Sequence, residues 1–79
     1  MQRYSITTPL AAIRLFQLDR TEKAGAMALL PAKAVVEMRG SSDLGAGMVE
    51  VTWHCQRFAV FQRDLLTRAT LVRLKADGN

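Results

Sequence analysis

Residues 47–61, GMVEVTWHCQRFAVF, carry the pattern that most limits the fold of this chain. Val49, Val51 and Trp53 alternate with mostly polar neighbours, as expected of a strand that buries one side. A second run, RFAVF, begins at Arg57 and is rich in aromatic and β-branched residues. The spacing predicts an antiparallel hairpin with a short turn at about residues 54–57, although the turn lacks the glycine that tight hairpins prefer.

Similar patterns predict further short elements on both sides of this hairpin. AKAVVEMRG predicts a strand over about residues 33–39 that ends at Gly40, and a glycine- and serine-rich loop follows. Downstream, QRDLLTR favours one short helical turn near residues 63–68, and the alternating segment ATLVRLK predicts a final strand. Upstream, AMALLPA is a short apolar run that stops at Pro31, which is typical of a strand edge or a bend.

The first third of the chain permits two interpretations. Residues 9–22 can form a helix with Thr8 as N-cap, Pro9 at the first helical position and Gly25 beyond the end. They can equally form a strand through AAIRLFQL, followed by a long mobile loop, DRTEKAG. We favour the strand, because regularly spaced short strands elsewhere need a partner in the same sheet.

The order of these elements resembles the Src-homology-3-like small barrel over most of residues 10–75. A strand and a long loop precede two strands broken by a bend, a glycine-rich loop, a tight hairpin, a helical turn and a final strand. The residues that carry the resemblance are Leu30, Pro31, Val35, Val36, Glu37, Gly47, Met48, Val49, Glu50, Val51, Trp53, Phe58, Ala59, Val60, Phe61, Asp64 and Leu65. The chain is also similar to small uncharacterised bacterial proteins of this shape, which supply no activity.

The resemblance implies a mainly β fold, a small barrel of five to six strands. The length of the chain predicts a single domain over residues 1–79, with frayed termini. The chain departs from true signalling modules of this class at the positions of their peptide groove. Its early segment is AIRLF, it has one tryptophan, and RDLLT occupies the late position. Binding of proline-rich peptides is therefore not expected.

Chain length predicts that this domain needs additional support. Seventy-nine residues make one small core, whose burial barely offsets the entropy lost on folding. One cysteine and one histidine provide neither an internal disulfide nor the four ligands of a structural zinc site. Self-association into a homodimer or a higher homo-oligomer is therefore expected. The N-terminus lacks the apolar segment of a signal peptide, and no apolar run approaches a membrane span, so we expect a cytoplasmic protein.

Candidate reactive residues do not form a recognisable site. His54 and Cys55 are adjacent, so in a strand their side chains point to opposite faces. Gly40 and Gly45 have the spacing of a phosphate-binding loop, but the lysine and the hydroxyl residue that should follow are missing. The carboxylates show no spacing typical of an acid and base pair. We therefore expect no catalytic residue, no cofactor, no metal ion and no enzymatic activity.

Two function classes follow from the remaining residues. The first is an interaction or adaptor module that binds a protein partner or copies of itself, because Phe61 faces outward beside Met48 and needs cover. The alternative is a nucleic-acid-binding barrel, because the net charge is +4 and basic residues are densest near the C-terminus. The phosphate contacts in that alternative are Arg57, Arg63, Arg68, Arg73 and Lys75.

Overall fold

The computed structural model describes residues 2–72, which form seven antiparallel strands and one short helix. In chain order the elements are β1 (Gln2–Ile6), β2 (Leu10–Leu18), β3 (Thr21–Leu30), β4 (Val35–Ser41), β5 (Met48–Trp53), β6 (Gln56–Phe61), α1 (Gln62–Arg68) and β7 (Ala69–Val72). The strands make one open sheet in the order β3-β2-β6-β5-β4-β1-β7. The expected mainly β architecture is confirmed, with seven strands in residues 2–72 in place of the five to six predicted.

The hairpin of β5 and β6 forms as the alternation predicted. Val51 lies opposite Phe58, and Trp53 lies opposite Gln56, so only His54 and Cys55 make the turn. Their φ angles are 52° and 62°, the left-handed conformation that a two-residue type I′ turn requires at both positions. The turn therefore forms without glycine, in a conformation that costs energy for residues with a Cβ.

The strand interpretation of the first third is confirmed for β2, and the helix interpretation is wrong. The expected long loop after it is also wrong. The chain reverses at Asp19 and Arg20, both with positive φ, and returns directly as β3, which pairs with β2 along most of its length. Ala24 and Gly25 have low strand propensity, but pairing with a neighbouring strand overrides that preference.

The N-terminal residues form β1, where the sequence suggested a frayed end. This strand lies between β4 and β7, and its Tyr4 and Ile6 side chains are buried in the core. The polar residues Gln2, Arg3 and Ser5 of this strand hide the signal, because only two of its five side chains are buried. The expectation of a frayed C-terminus falls on residues 73–79, outside the described part of the chain.

One face of the sheet, called here the core face, carries the main hydrophobic cluster. Helix α1 forms where one helical turn was predicted, and its Leu65 side chain packs fully buried against this cluster. Helix α1 has seven residues and is too short to span a membrane, and residues 2–72 contain no longer apolar helix. The buried members of the cluster are Tyr4, Ile6, Leu10, Ala12, Leu30, Ala34, Val36, Val49, Val51, Phe58, Val60 and Leu65.

The opposite face, called here the outer face, is also partly closed. Met48 and Ala59 lie on it, as alternation predicts, but they are buried with Leu15 in a second, smaller cluster against which Ile13 packs. Ala59 lies opposite both Ile13 and Glu50, so larger side chains on the flanking strands cover it. Neighbouring side chains therefore bury Ala59 and Met48 on this face, whereas Phe61 is exposed as expected.

Candidate functional site

Trp53, His54 and Cys55 form the tip of the β5–β6 hairpin. The indole packs partly buried against the core, with its ring 6.5 Å from that of Phe58, and its other neighbour is the His54 ring, edge-on at 4.3 Å. Cys55 is a free, exposed thiol. Across residues 2–72, no three histidine, cysteine or acidic side chains lie close enough together to hold a metal ion. The aromatic, imidazole and thiol groups therefore lie side by side because the strand end and the two-residue turn are adjacent in the chain.

The outer face carries a surface that we call the apolar stripe, made of Met27, Leu29, Ile13, Leu15, Ala59, Phe61 and Met48. The second, smaller cluster and Ile13 form the floor of the stripe. The other three side chains of the stripe project into solvent. Met27, Leu29 and Phe61 are 67%, 64% and 53% exposed. Met27 lies opposite Ile13, which lies opposite Ala59, so the stripe crosses three neighbouring strands without interruption.

Beside Phe61 the stripe continues into an open groove next to helix α1. The groove is lined by Ala46, Gly47, Phe61, Gln62 and Leu66, and the amide N–H of Gln62 donates to the Gly47 carbonyl at 2.8 Å. This bond fixes the start of the helix against the glycine-rich loop. Leu66 is 59% exposed, so apolar surface extends from the sheet onto the helix.

A cluster of ion pairs borders the stripe on its other side. Arg57 Nη1 lies 3.3 Å from Glu22 Oε1 and 3.4 Å from Glu50 Oε2. Desolvation acts to lower the pKa of Arg57, but the negative charges and hydrogen bonds of Glu50 and Glu22 outweigh it and raise that pKa. The guanidinium is therefore held as a cation by two carboxylates from strands on either side of it.

The basic residues predicted as phosphate contacts are not gathered into one row. Arg57 is occupied by the two carboxylates, and Arg68 Nη1 donates to the Pro9 carbonyl at 3.3 Å. Arg63 is exposed on helix α1, beside the groove. The remaining two, Arg73 and Lys75, lie outside the described residues.

A different group of basic and aromatic residues lies where the core face extends along the β2–β3 hairpin. Arg14 lies opposite Phe58 and Phe16 lies opposite Lys23, so these side chains share the core face. Phe16 is 43% exposed, and both Arg14 and Lys23 are exposed. The sequence did not predict this group, because residues 19–25 were expected to form a loop. The alternation of Ala12, Arg14 and Phe16 within one strand was the available signal.

Comparisons of the chain with protein families, with curated proteins and with solved structures gave no match.

Proposed function

We propose that this protein is a small interaction module that self-associates through the apolar stripe of its outer face. The observation that carries the proposal is the common position of Met27, Leu29 and Phe61 on one face, each more than half exposed. Scattered apolar side chains on a surface need no explanation, but a contiguous group around a packed floor is typical of a binding surface.

The border of the stripe supports an interface rather than a random patch. Stable interfaces have an apolar centre and a polar rim, and here the rim contains Glu22, Arg57 and Glu50. The stripe itself is uncharged, so two copies can meet there although each carries a net charge of +4. Because the rim contains both signs of charge, the same surface can face itself across a two-fold axis.

The size of the chain supports a second copy as the occupant. A standard interface buries about 800 Å² on each partner. This area is roughly one seventh of the 5536 Å² accessible surface of the chain. Such an association stabilises a small domain, because the second copy binds only the folded state. Of the two interface residues predicted from sequence, Phe61 supplies contact area and Met48, at 8% exposure, supplies the floor beneath it.

We further propose that the sheet is a variant of the Src-homology-3-like small barrel, in which β2 is the first strand and a tight turn with strand β3 replaces the long loop. The order of elements supports this relationship. Strand β2 and its return strand β3 precede β4, a glycine-rich loop, the tight β5–β6 hairpin, the short helix and the final strand. The final strand β7 pairs with β1 at one edge of the open sheet. A cytoplasmic location is proposed because an exposed free thiol is compatible with a reducing compartment.

The experiment is sedimentation velocity of the purified chain and of two variants, Leu29→Lys and Phe61→Lys. We expect the unsubstituted protein to sediment at twice the chain mass of 8.8 kDa at micromolar concentration. Each lysine places a charge in the apolar centre of the contact, so both variants should sediment as monomers.

Leu18→Lys provides the matched control. Leu18 is 55% exposed in the same β2–β3 hairpin but lies outside the stripe, so this variant should remain a dimer. Circular dichroism of all three variants tests that the fold is kept. A monomeric unsubstituted protein at about 100 µM, well above the micromolar range of specific weak interfaces, would exclude the proposal.

A further inference from the structure

We propose that the exposed end of the core face binds single-stranded nucleic acid, with Phe16 and Trp53 as stacking surfaces and Arg14, Lys23 and Lys33 as phosphate contacts. This inference is independent of self-association, because these residues lie outside the apolar stripe. It also differs from the prediction made from sequence, since none of these basic residues belongs to the C-terminal group.

The position of Phe16 suits stacking. Its ring lies over Gly25 of β3, where an added Cβ would be 3.3 Å from Phe16 Cε1 and 3.2 Å from the Arg14 carbonyl oxygen. The missing side chain at Gly25 thus makes room for the ring against the sheet, while 43% of the residue stays exposed. A fixed, half-exposed aromatic ring on a strand is what a base requires as a stacking partner.

Trp53 provides a second aromatic ring on the same face. Leu15 lies opposite Arg57, so the next residues along, Phe16 and Gln56, are level, and Gln56 lies opposite Trp53. The two rings are therefore separated by one strand, which carries the polar Gln56 between them. Trp53 is only partly buried, and with Lys33 it lines a shallow groove.

Charge identifies the ligand as an anion. Arg14, Lys23 and Lys33 are all exposed, and none of them takes part in an ion pair within the described residues. The carboxylates of Glu22 and Glu50 are on the outer face, where they hold Arg57. Basic side chains interleaved with aromatic rings favour a polyanion that also presents flat bases, which a single strand does and a duplex does not.

The experiment measures fluorescence anisotropy of a labelled 15-nucleotide oligothymidine, titrated with the full chain at several salt concentrations. We expect binding that weakens steeply as salt rises, because phosphate contacts release counterions. Phe16→Leu, which keeps apolar bulk but removes the ring, should weaken binding by about tenfold, and Phe16→Tyr should keep it. Trp53 fluorescence, from the one tryptophan of the chain, should be quenched on binding.

Substitution of the basic residues tests the electrostatic part. Arg14→Gln and Lys23→Gln should each reduce the salt slope by about 0.7, the value for one phosphate contact with a single strand. Arg39→Gln and Arg63→Gln are the matched controls, since both residues are exposed but lie elsewhere, on β4 and α1. Leu66→Ala controls for loss of an exposed apolar side chain.

Three results would overturn the inference. The first is no anisotropy change with oligothymidine at low salt. The second is that the protein binds the oligonucleotide and a duplex of the same length with equal affinity, and that Phe16→Leu has no effect. This result would indicate attraction by net charge alone. The third is that Arg39→Gln and Arg63→Gln reduce the salt slope as much as Arg14→Gln and Lys23→Gln.

Discussion

The guanidinium of Arg57 on β6 lies 3.3 Å from the carboxylate of Glu22 on β3, although these two strands are not neighbours in the sheet. Strand β2 runs between them, and its Leu15 lies opposite Arg57. The ion pair therefore crosses β2 on the outer face and joins the edge strand to the middle of the sheet. Glu50 on β5 binds the same guanidinium, so one cation links side chains from three strands.

Replacement of Arg57 by Gln should destabilise the protein more than replacement of an ordinary surface arginine. The Arg57 side chain is 32% exposed and its partner Glu50 is 18% exposed, so water screens these pairs less than a fully exposed pair. We expect a loss of about 1 kcal/mol in the free energy of unfolding, at the upper end for surface ion pairs. Urea unfolding followed by circular dichroism measures it.

The control is Arg3→Gln, which removes the pair with Glu37 at 3.2 Å. Those side chains are 51% and 37% exposed, so this loss should be about 0.5 kcal/mol or less. An effect of Arg3→Gln equal to that of Arg57→Gln would show that the link across β2 contributes no more than any exposed pair.

Sequence predicted the elements whose side chains alternate clearly between buried and exposed. Val49, Val51, Phe58 and Val60 all enter the core face, as the pattern required, and the short helix appears where the polar segment with a leucine pair placed it. In these segments the local preference and the tertiary environment agree, so the pattern alone was sufficient.

The elements missed by sequence analysis lack such a pattern. Strand β3 contains three alanines and a glycine, and only Leu30 of its ten residues is buried, so its pairing with β2 decides its conformation. The buried state of Ala59 was missed for a related reason: a small residue on the outer face is covered by larger neighbours that come from other strands. Neither fact can be read from the local sequence, because both depend on strand order.

Substitution of Cys55 by Gly should stabilise the hairpin. Cys55 has φ of 62°, a left-handed conformation that costs a residue with a Cβ about 1 kcal/mol or more and costs glycine almost nothing. Allowing for the greater entropy of glycine in the unfolded chain, we expect a gain of about 0.5–1 kcal/mol by urea unfolding under reducing conditions. Cys55→Ala removes the thiol but keeps the unfavourable φ, so it should change stability by less than about 0.5 kcal/mol. Equal stability of the two variants would contradict a strained turn.

The two methionines of the outer face should respond differently to truncation. Met48 is 8% exposed and packs with Leu15 and Ala59, so Met48→Ala should cost about 2–3 kcal/mol through the cavity that it leaves. Met27 is 67% exposed, and Met27→Ala should change the stability of the monomer by less than about 0.5 kcal/mol.

Both methionine variants are best compared in the Leu29→Lys background, where association should not add to stability. Urea unfolding then reports the monomer alone. A small effect of Met48→Ala in that background would mean that the second cluster is not packed in the isolated chain.

The last prediction concerns the attachment of helix α1. A helix of seven residues is too short to be stable by itself, so contacts with the rest of the protein must hold it. Leu65 is fully buried, and the Arg68 carbonyl at the helix end accepts hydrogen bonds from both the N–H and the hydroxyl of Thr7 at 2.8 Å. Leu65→Ala should therefore cost about 2–5 kcal/mol, enough to unfold much of a small domain, and should speed hydrogen exchange in β7, which follows the helix directly. Leu66→Ala, at an exposed neighbouring position, should lower the free energy of unfolding by less than about 0.5 kcal/mol. Equal losses at the two positions would contradict the packing of the helix through Leu65.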